Sequence, residues 1–188
     1  MNIVVRTSGG HFVVRPDTTR EKNSEDFWLP DDVSHVSWSP VFFVRISRAG
    51  KRIGTRYAGR YYDLFSFGVL LYPEDFIGSC EEGFAMASCM DRTSYLPMPD
   101  FAFAQEADGQ AFRVTTDGCL ECEHKMLSRG ALDNAVSEAS RHILLRPGDY
   151  LAIELQPRSP LFAAPHEDMH VEAEFMGRKL LSFSIKSL

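Results

Sequence analysis

Seven short runs of β-branched and aromatic residues set the main constraint on this chain: Ile3–Val5, Phe12–Val14, Val41–Ile46, Phe101–Phe103, Tyr150–Leu155, Val171–Phe175 and Leu180–Ile185. Each is short for a helix and rich in residues that fit a pleated, half-buried surface, so the runs predict strands. Val171-Glu-Ala-Glu-Phe175 and Leu181-Ser-Phe-Ser-Ile185 alternate apolar and polar, which turns one face of each toward a core. The helical period is clearest from about Ala131 to His142, where Leu132, Val136, Ala139 and Ile143 fall three or four apart and Ser128 or Asp133 can serve the helix start. Arg146-Pro147-Gly148-Asp149 stops that helix and turns the chain into a strand. A shorter helix is expected near Thr55–Tyr62, and Pro157–Pro165 reads as a long loop. The class that follows is mainly β (α+β), with a few helices. With 44% hydrophobic residues and no repeat or linker in 188 residues, we expect one domain over residues 1–188.

Charge narrows the function classes. Asp and Glu number 26 against 20 Lys and Arg, a net charge of −6, which argues against a general nucleic-acid binder. Yet Val33 through Tyr62 contains no carboxylate while carrying Arg45, Arg48, Lys51, Arg52, Arg56 and Arg60. Such a run could hold an anion or an acidic partner surface. The plainer expectation is a solvated strand–turn–helix face whose arginines pair with carboxylates from elsewhere. Trp38, Phe42, Phe43, Tyr57, Tyr61 and Tyr62 in the same stretch are expected in the core or a dimer interface. The opening Met-Asn-Ile-Val-Val-Arg is no secretory signal and no segment approaches a membrane span, so a cytoplasmic protein is expected. Cys80, Cys89, Cys119 and Cys122 are too few for a disulfide scaffold and are expected reduced.

Two motifs could carry metal chemistry. His166-Glu-Asp-Met-His170 matches the zinc-peptidase pattern His-Glu-x-x-His, in which two histidines one helical turn apart bind zinc. That pattern needs a helix, whereas Pro165 precedes it and the alternating Val171–Phe175 follows at once, so a polar turn before a strand is the preferred reading. Cys119-Leu-Glu-Cys122-Glu-His124 has the spacing for a thiolate–imidazole site, but Cys80 and Cys89 do not supply a second knuckle, and a surface hairpin with incidental cysteines is expected. The Gly50–Gly59 stretch lacks the Gly-Lys-Ser/Thr end of a phosphate loop, and His11, His35 and His142 have no nucleophile-elbow serine to serve.

Several segments together resemble the fumarylacetoacetate hydrolase family. They are Phe12-Val-Val-Arg-Pro-Asp17, similar to an early Phe-x-Lys-Pro segment; Ser39-Pro-Val-Phe-Phe-Val-Arg-Ile-Ser-Arg-Ala-Gly-Lys51; Tyr57-Ala-Gly-Arg-Tyr-Tyr-Asp63; Asp133-Asn-Ala-Val-Ser-Glu-Ala-Ser140; Leu144-Leu-Arg-Pro-Gly-Asp-Tyr-Leu151, with a Leu-x-Pro-Gly-Asp turn; and Gly177-Arg-Lys-Leu-Leu-Ser-Phe-Ser-Ile-Lys186. The resemblance covers nearly the whole chain from Phe12 and consists of scaffold residues. It implies a mixed β-sheet roll or sandwich, commonly a homodimer, holding a divalent cation, usually Mg²⁺, and acting as a hydrolase, isomerase or decarboxylase on 2-oxo or β-diketo acids.

The resemblance also implies three acidic ligands, a Glu-x-Glu pair and a later Asp, because a hard cation takes charged oxygens. Aligned on Arg48-Ala-Gly-Lys51, the pair falls on Ser39 and Val41; aligned on Gly68-Val-Leu-Leu-Tyr-Pro-Glu-Asp75, the third falls on Leu70. A substrate-binding lysine position becomes Ser88, with Asp91 kept beside it, and Arg113 stands near an expected glutamine. A Thr-Gly-Thr-Pro turn is replaced by Ile153-Glu-Leu-Gln-Pro157. The expectation is a catalytically inactive relative with neither catalytic residues nor metal, acting as a homodimeric or partner-binding scaffold and binding at most a small organic acid, for which Arg113 and Asp91 are the candidates. The alternative is an active enzyme with Mg²⁺ relocated to Asp63, Glu74, Asp75 or the His166–His170 segment.

Overall fold

The computed structural model describes residues 1–78, 80–103, 110–164 and 168–187. In chain order, β1 (Asn2–Arg6), β2 (Phe12–Pro16), β3 (Arg20–Glu21), β4 (Phe27–Trp28) and β5 (His35–Ile46) precede α1 (Thr55–Ala58) and β6 (Tyr62–Pro73). Next come α2 (Glu74–Ile77), α3 (Gly83–Cys89), β7 (Ser94–Tyr95), β8 (Phe101–Ala102), β9 (Ala111–Thr116), β10 (Cys119–Lys125) and α4 (Arg129–His142). The chain closes with β11 (Tyr150–Glu154), β12 (Ser159–Ala163), β13 (Met169–Phe175) and β14 (Arg178–Lys186). The strands form a nine-stranded sheet, ordered β2-β1-β11-β5-β6-β7-β3 with β12 on β5 and β8 on β6, and a five-stranded sheet ordered β10-β9-β13-β14-β4. Both sheets are mixed, since β1–β11, β3–β7 and β14–β4 pair in parallel and the other ladders are antiparallel. No helix among the described residues is long and apolar enough to cross a membrane.

All seven expected runs lie in strands, with Phe103 just past β8 and Leu155 just past β11. The expected helix is α4, and the Ser128 hydroxyl accepts from the Ala131 amide at 3.2 Å, as an N-cap does. Three expectations need correction. The helix near Thr55–Tyr62 is one turn ending at Ala58, and Tyr62 opens β6. The Pro157–Pro165 loop contains β12, which borders β5; a bulge at Pro160–Phe162 accommodates the proline on this edge. The strand reading omitted β6, because Phe65–Tyr72 is buried on both faces and shows no alternation.

β5 and β6 form the central ladder. On one face Trp38, Phe42, Val44 and Ile46 from β5 and Phe65, Phe67, Val69 and Leu71 from β6 meet the inner face of the five-stranded sheet. Phe67 stacks on Phe112 at 4.7 Å between centroids and lies 4.7 Å from Phe175, and Leu132, Val136 and Ala139 of α4 complete this core. The opposite face of the ladder carries Val41, Phe43, Leu70 and Tyr72, which join Ile3, Val5, Leu96, Tyr150 and Ala152 in a second apolar cluster.

The Pro147-Gly148-Asp149 turn ties the long sheet together. Gly148 has φ +88°, a left-handed backbone that glycine adopts without penalty. Asp149, 2% exposed, accepts from the Asn2 amide at 2.8 Å and the Arg146 amide at 2.9 Å, while its own carbonyl accepts from Ile46 at 2.8 Å. One residue therefore fixes β1, β5 and the entry to β11. Asp149→Ala leaves two amides without acceptors and should cost about 2–3 kcal/mol. For a chain of this size, melting is then expected roughly 5–10 °C lower by calorimetry; an unchanged melting temperature would remove this turn from the account of stability.

Candidate functional site

Strand alternation places Ser39, Val41 and Leu70 on the second face of the central ladder. Ser39 pairs across the strands with Leu70, and Val41 with Gly68. All three are fully buried. The Ser39 hydroxyl donates to the Gln156 carbonyl at 2.8 Å, and Val41 and Leu70 belong to the apolar cluster. A Cβ on Gly68 would lie 2.4 Å from the Tyr95 carbonyl oxygen and 2.7 Å from a Leu96 methyl, so the chain after β7 presses directly onto the ladder here. Ile77 of α2 and Phe84 of α3 pack against the same cluster. These residues do not fit a divalent cation: the side chains of two offer no lone pair, and the third offers one neutral hydroxyl where a hard cation takes several, mostly charged, oxygens. Among the described residues no three His, Cys, Asp or Glu side chains are grouped to hold a metal ion.

The other candidates separate. Ser88 is buried in α3 with no hydrogen-bond partner for its hydroxyl among the described residues, and Asp91 is exposed just after it. Arg113 does not join them. It stands on the outer face of the five-stranded sheet, 51% exposed, paired with Glu123 at 2.8 Å and Glu174 at 3.8 Å. Hydrogen bonding to Glu123 raises its already high pKa. The first core lies between it and Ser39, because Phe112 and Val114, its neighbours on β9, point inward.

Three residues that the sequence reading did not single out form a polar network bordering the apolar cluster. Arg15 is fully buried; it donates to the carbonyls of Thr93 and Leu71 at 3.1 Å and to the hydroxyls of Thr93 and Ser94 at 3.1 and 3.2 Å. Its guanidinium lies 4.3 Å from the Tyr72 ring centroid, and the Tyr72 hydroxyl donates to Glu154, whose other oxygen accepts from the Ser8 amide at 2.8 Å. On Tyr72, Arg158 approaches to 5.1 Å and pairs with Glu74 at 3.0 Å, and Ser37 donates to the same Glu74 oxygen. Burial pushes the Tyr72 hydroxyl well above its ordinary pKa, with Arg15 opposing and Glu154 adding to the rise. The available signals were the arginine of Phe12-Val-Val-Arg-Pro and the glutamate of Ile153-Glu-Leu; each is a charge inside an apolar strand.

Beside this network opens a cleft of ≈ 840 Å³ whose wall includes Ser8, Ser37, Glu74, Arg158, Leu161 and Phe162. His35 reaches it with Nδ1 2.9 Å from the Ser34 hydroxyl and 3.4 Å from Asp75. Desolvation opposes ionisation of Asp75, but bonds from the Ser34 hydroxyl and the Ser34 and His35 amides outweigh it and hold the carboxyl below its ordinary range. Asp63 lies elsewhere, bound by Arg45 Nε at 2.9 Å and Nη2 at 2.7 Å, which lowers its pKa.

The remaining motifs resolve simply. His170 lies in strand β13 with Glu172 at 3.5 Å, so the helix a zinc-peptidase pair requires is not formed there; His166 and Glu167 lie outside the described residues. β9 and β10 make a hairpin in which Cys119 is exposed and Cys122 joins the first core, while His124 meets Gln156 at 3.0 Å. Burial pushes the Cys122 thiol up to about 12.

Two measurements follow. A thiol reagent at pH 8 should label exposed Cys89 and Cys119 in the native protein and spare Cys122 until denaturant is added; rapid labelling of Cys122 would contradict its burial. Tyr72 and Cys122 both have raised folded pKa values, so their contributions are present below the unfolded values, about 10 and about 8.5, and fade as pH rises above them. Tyr72→Phe should cost about 1–3 kcal/mol at neutral pH by stranding Glu154, and its stability should fall less steeply above pH 10 than that of the unsubstituted chain; parallel curves would rule out Tyr72 as a source of alkaline instability.

No protein-family model matches the chain, and no curated protein is significantly similar in sequence. Solved structures do match. A protein assigned to the fumarylacetoacetate hydrolase family from Yersinia pestis superposes with a TM-score of 0.79 at 14% identity, over 100% of this chain and 92% of that one. Fumarylpyruvate hydrolase from Pseudomonas aeruginosa, solved with Mn²⁺ and pyruvate, gives 0.77 at 15% identity over 100% and 89%. 2-Hydroxyhepta-2,4-diene-1,7-dioate isomerase from Mycobacterium marinum gives 0.77 at 15% over 100% and 74%. The mixed sheets, the α4-to-turn connection and the central ladder of this chain thus make up the fold of the fumarylacetoacetate hydrolase family.

Proposed function

We propose that this chain is a non-catalytic member of the fumarylacetoacetate hydrolase family, a homodimeric or partner-binding scaffold whose cleft takes a small organic anion. The observation that carries this reading is the closed second face of the β5–β6 ladder. Where the family resemblance implies carboxylates, Val41 and Leu70 pack with Phe43 and Leu96, and Ser39 is committed to Gln156. Replacing a bound Mg²⁺ and its carboxylates with hydrocarbon removes the means of polarising a keto-enol oxygen. The cleft keeps a cation: Arg158 is 30% exposed, bonded to Glu74 through one nitrogen, and has donors left for an entering carboxylate.

The alternative enzyme would place its metal on Asp63, Glu74, Asp75 or the His166–His170 segment, of which His166 and Glu167 lie outside the described residues; the three carboxylates would have to exchange present partners for it. Each is engaged: Asp63 by Arg45, Glu74 by Arg158 and Ser37, Asp75 by Ser34 and His35. Elemental mass spectrometry of the purified protein, with melting curves in Mg²⁺ and Mn²⁺, separates the two readings. We expect no stoichiometric ion and no shift. An ion present at 100 times its dissociation constant adds about 2.7 kcal/mol, or roughly 5–10 °C for a chain of this length. A shift of that size, or one bound ion per chain, would reinstate the enzyme.

A further inference from the structure

The arginines and the lysine of the carboxylate-free stretch are expected to pair with carboxylates elsewhere in the chain; among the described residues Arg45 alone of these six does so. Arg45 pairs with Asp63. Among the described residues, Arg48, Lys51, Arg52, Arg56 and Arg60 form no ion pair with a carboxylate, although all five are exposed and the chain carries a net charge of −6. Arg56 lies in α1 and Arg60 in the turn just beyond its end, and both guanidiniums lie against Tyr57, at 4.5 and 5.3 Å from its ring centroid. The Asp133 carboxylate approaches Gly59 at the edge of this patch but accepts from the Tyr62 hydroxyl at 2.9 Å.

The backbone beneath these cations is fixed. Gly50 and Leu145 exchange both amide–carbonyl bonds at 3.0 Å. Arg52 holds φ +55°, a strained position for a residue with a Cβ, and its amide donates to the Ser140 carbonyl at 2.7 Å while that of Ile53 donates to the buried Ser140 hydroxyl at 2.9 Å. Ile53 and Ala58 are anchored in the first core. A concavity of ≈ 480 Å³ opens between Arg48, Ala49, Tyr57, Arg60 and Tyr61. It contains two guanidinium forks and two aromatic rings on this anchored backbone, and among the described residues no Asp or Glu lines it.

We propose that this concavity is a binding site for a small, multiply charged oxyanion, a phosphate ester or diphosphate or a polycarboxylate. Two guanidiniums match two or more negative charges, since each can hold a planar pair of oxygens in bidentate fashion. A singly charged carboxylate would leave one arginine unmatched. The volume suits a small molecule, and the net negative charge of the chain disfavours a nucleic acid. The site is independent of the cleft: Ile46 and Tyr62 mark one end of the β5–β6 ladder and Ser37 and Tyr72 the other, on the order of 30 Å away at strand spacing.

Isothermal titration with pyrophosphate, citrate and acetate at fixed ionic strength tests this, using the intact chain, Arg48→Gln/Arg60→Gln, and Arg113→Gln as a control on the other sheet. Saturable one-to-one binding of pyrophosphate or citrate, weakened about tenfold or more in the double variant and unchanged in Arg113→Gln, is the expected result; which of the two binds more tightly identifies the phosphate or polycarboxylate source. Acetate should not saturate. Because the side chains are exposed, the double variant should melt within a degree or two of the parent, and Arg48→Lys/Arg60→Lys, which keeps charge but loses the forks, gives a second reading should it not. Absence of saturable binding, equal binding by the double variant, or binding only of a long polyanion such as heparin would overturn the proposal.

Discussion

The β5–β6 ladder is the constraint on which everything else rests, because it is buried on both sides. Each strand has twelve residues, and successive side chains go to different clusters: Trp38, Phe42 and Val44 to the core shared with the second sheet, Val41 and Phe43 to the second cluster. The outer edges of the ladder carry β11 and β12 on one side and β7 and β8 on the other. A shift of one residue in its register would exchange the two faces and bring Ser37, Ser39 and Ser66 into the aromatic core. The register is therefore set by both clusters at once, and the Asp149 turn, which binds β1, β5 and β11 together, locks the neighbouring strand to the same frame.

That arrangement gives the second face a choice between two chemistries. Oxygen ligands there would repel one another unless a cation neutralised them, whereas hydrocarbon there extends the core. This chain has taken the second course at Val41 and Leu70, and Gly68 lets the backbone of Tyr95 and the side chain of Leu96 close directly over the ladder. What polarity survives sits at the border. Among the described residues no carboxylate pairs with Arg15; its charge is met by carbonyls, hydroxyls and the Tyr72 ring, with Glu154 one hydroxyl further on. The cost of burying that cation is offset only while every contact holds together, which makes the network a rigid wall for the cleft beside it.

What could be read from the sequence follows from burial. Strands with one wet face, such as β13 and β14, announce themselves by alternation, and α4 by its period and its Ser128 cap. β6 does not, because two dry faces erase the alternation, and β12 does not, because Pro157 and Pro160 read as loop while the edge position that tolerates proline is visible only in the sheet. Ser39, Val41 and Leu70 could be named in advance through the resemblance, and their common face follows from strand spacing. Arg15 and Glu154 show only as charges inside apolar runs and Tyr72 not at all, and their joint role is set by what lies across from them. Arg113 was misplaced for a related reason: its strand belongs to the second sheet, and nothing local to Ala111–Thr116 says which sheet it joins.

The absence of acid from Val33 to Tyr62 has two physical consequences at opposite ends of one element. Within β5 it removes the oxygens a cation would need and leaves hydrocarbon to pack. Beyond Ile46, in the turn that leads to β6, it leaves five cations on an anchored loop that no carboxylate among the described residues pairs with, and solvent or an external anion relieves the self-repulsion among them. Solvent alone is sufficient for stability, but it does not account for the left-handed Arg52 or for Ser140 giving both its carbonyl and its hydroxyl to the loop backbone. Those contacts cost conformational freedom and fix the backbone that carries the patch, on which Arg56 and Arg60 lie against Tyr57 and Arg48 lines the same concavity. Pre-organised like charges bind an oxyanion with less ordering entropy than mobile ones, and that difference turns an unbalanced turn into a site.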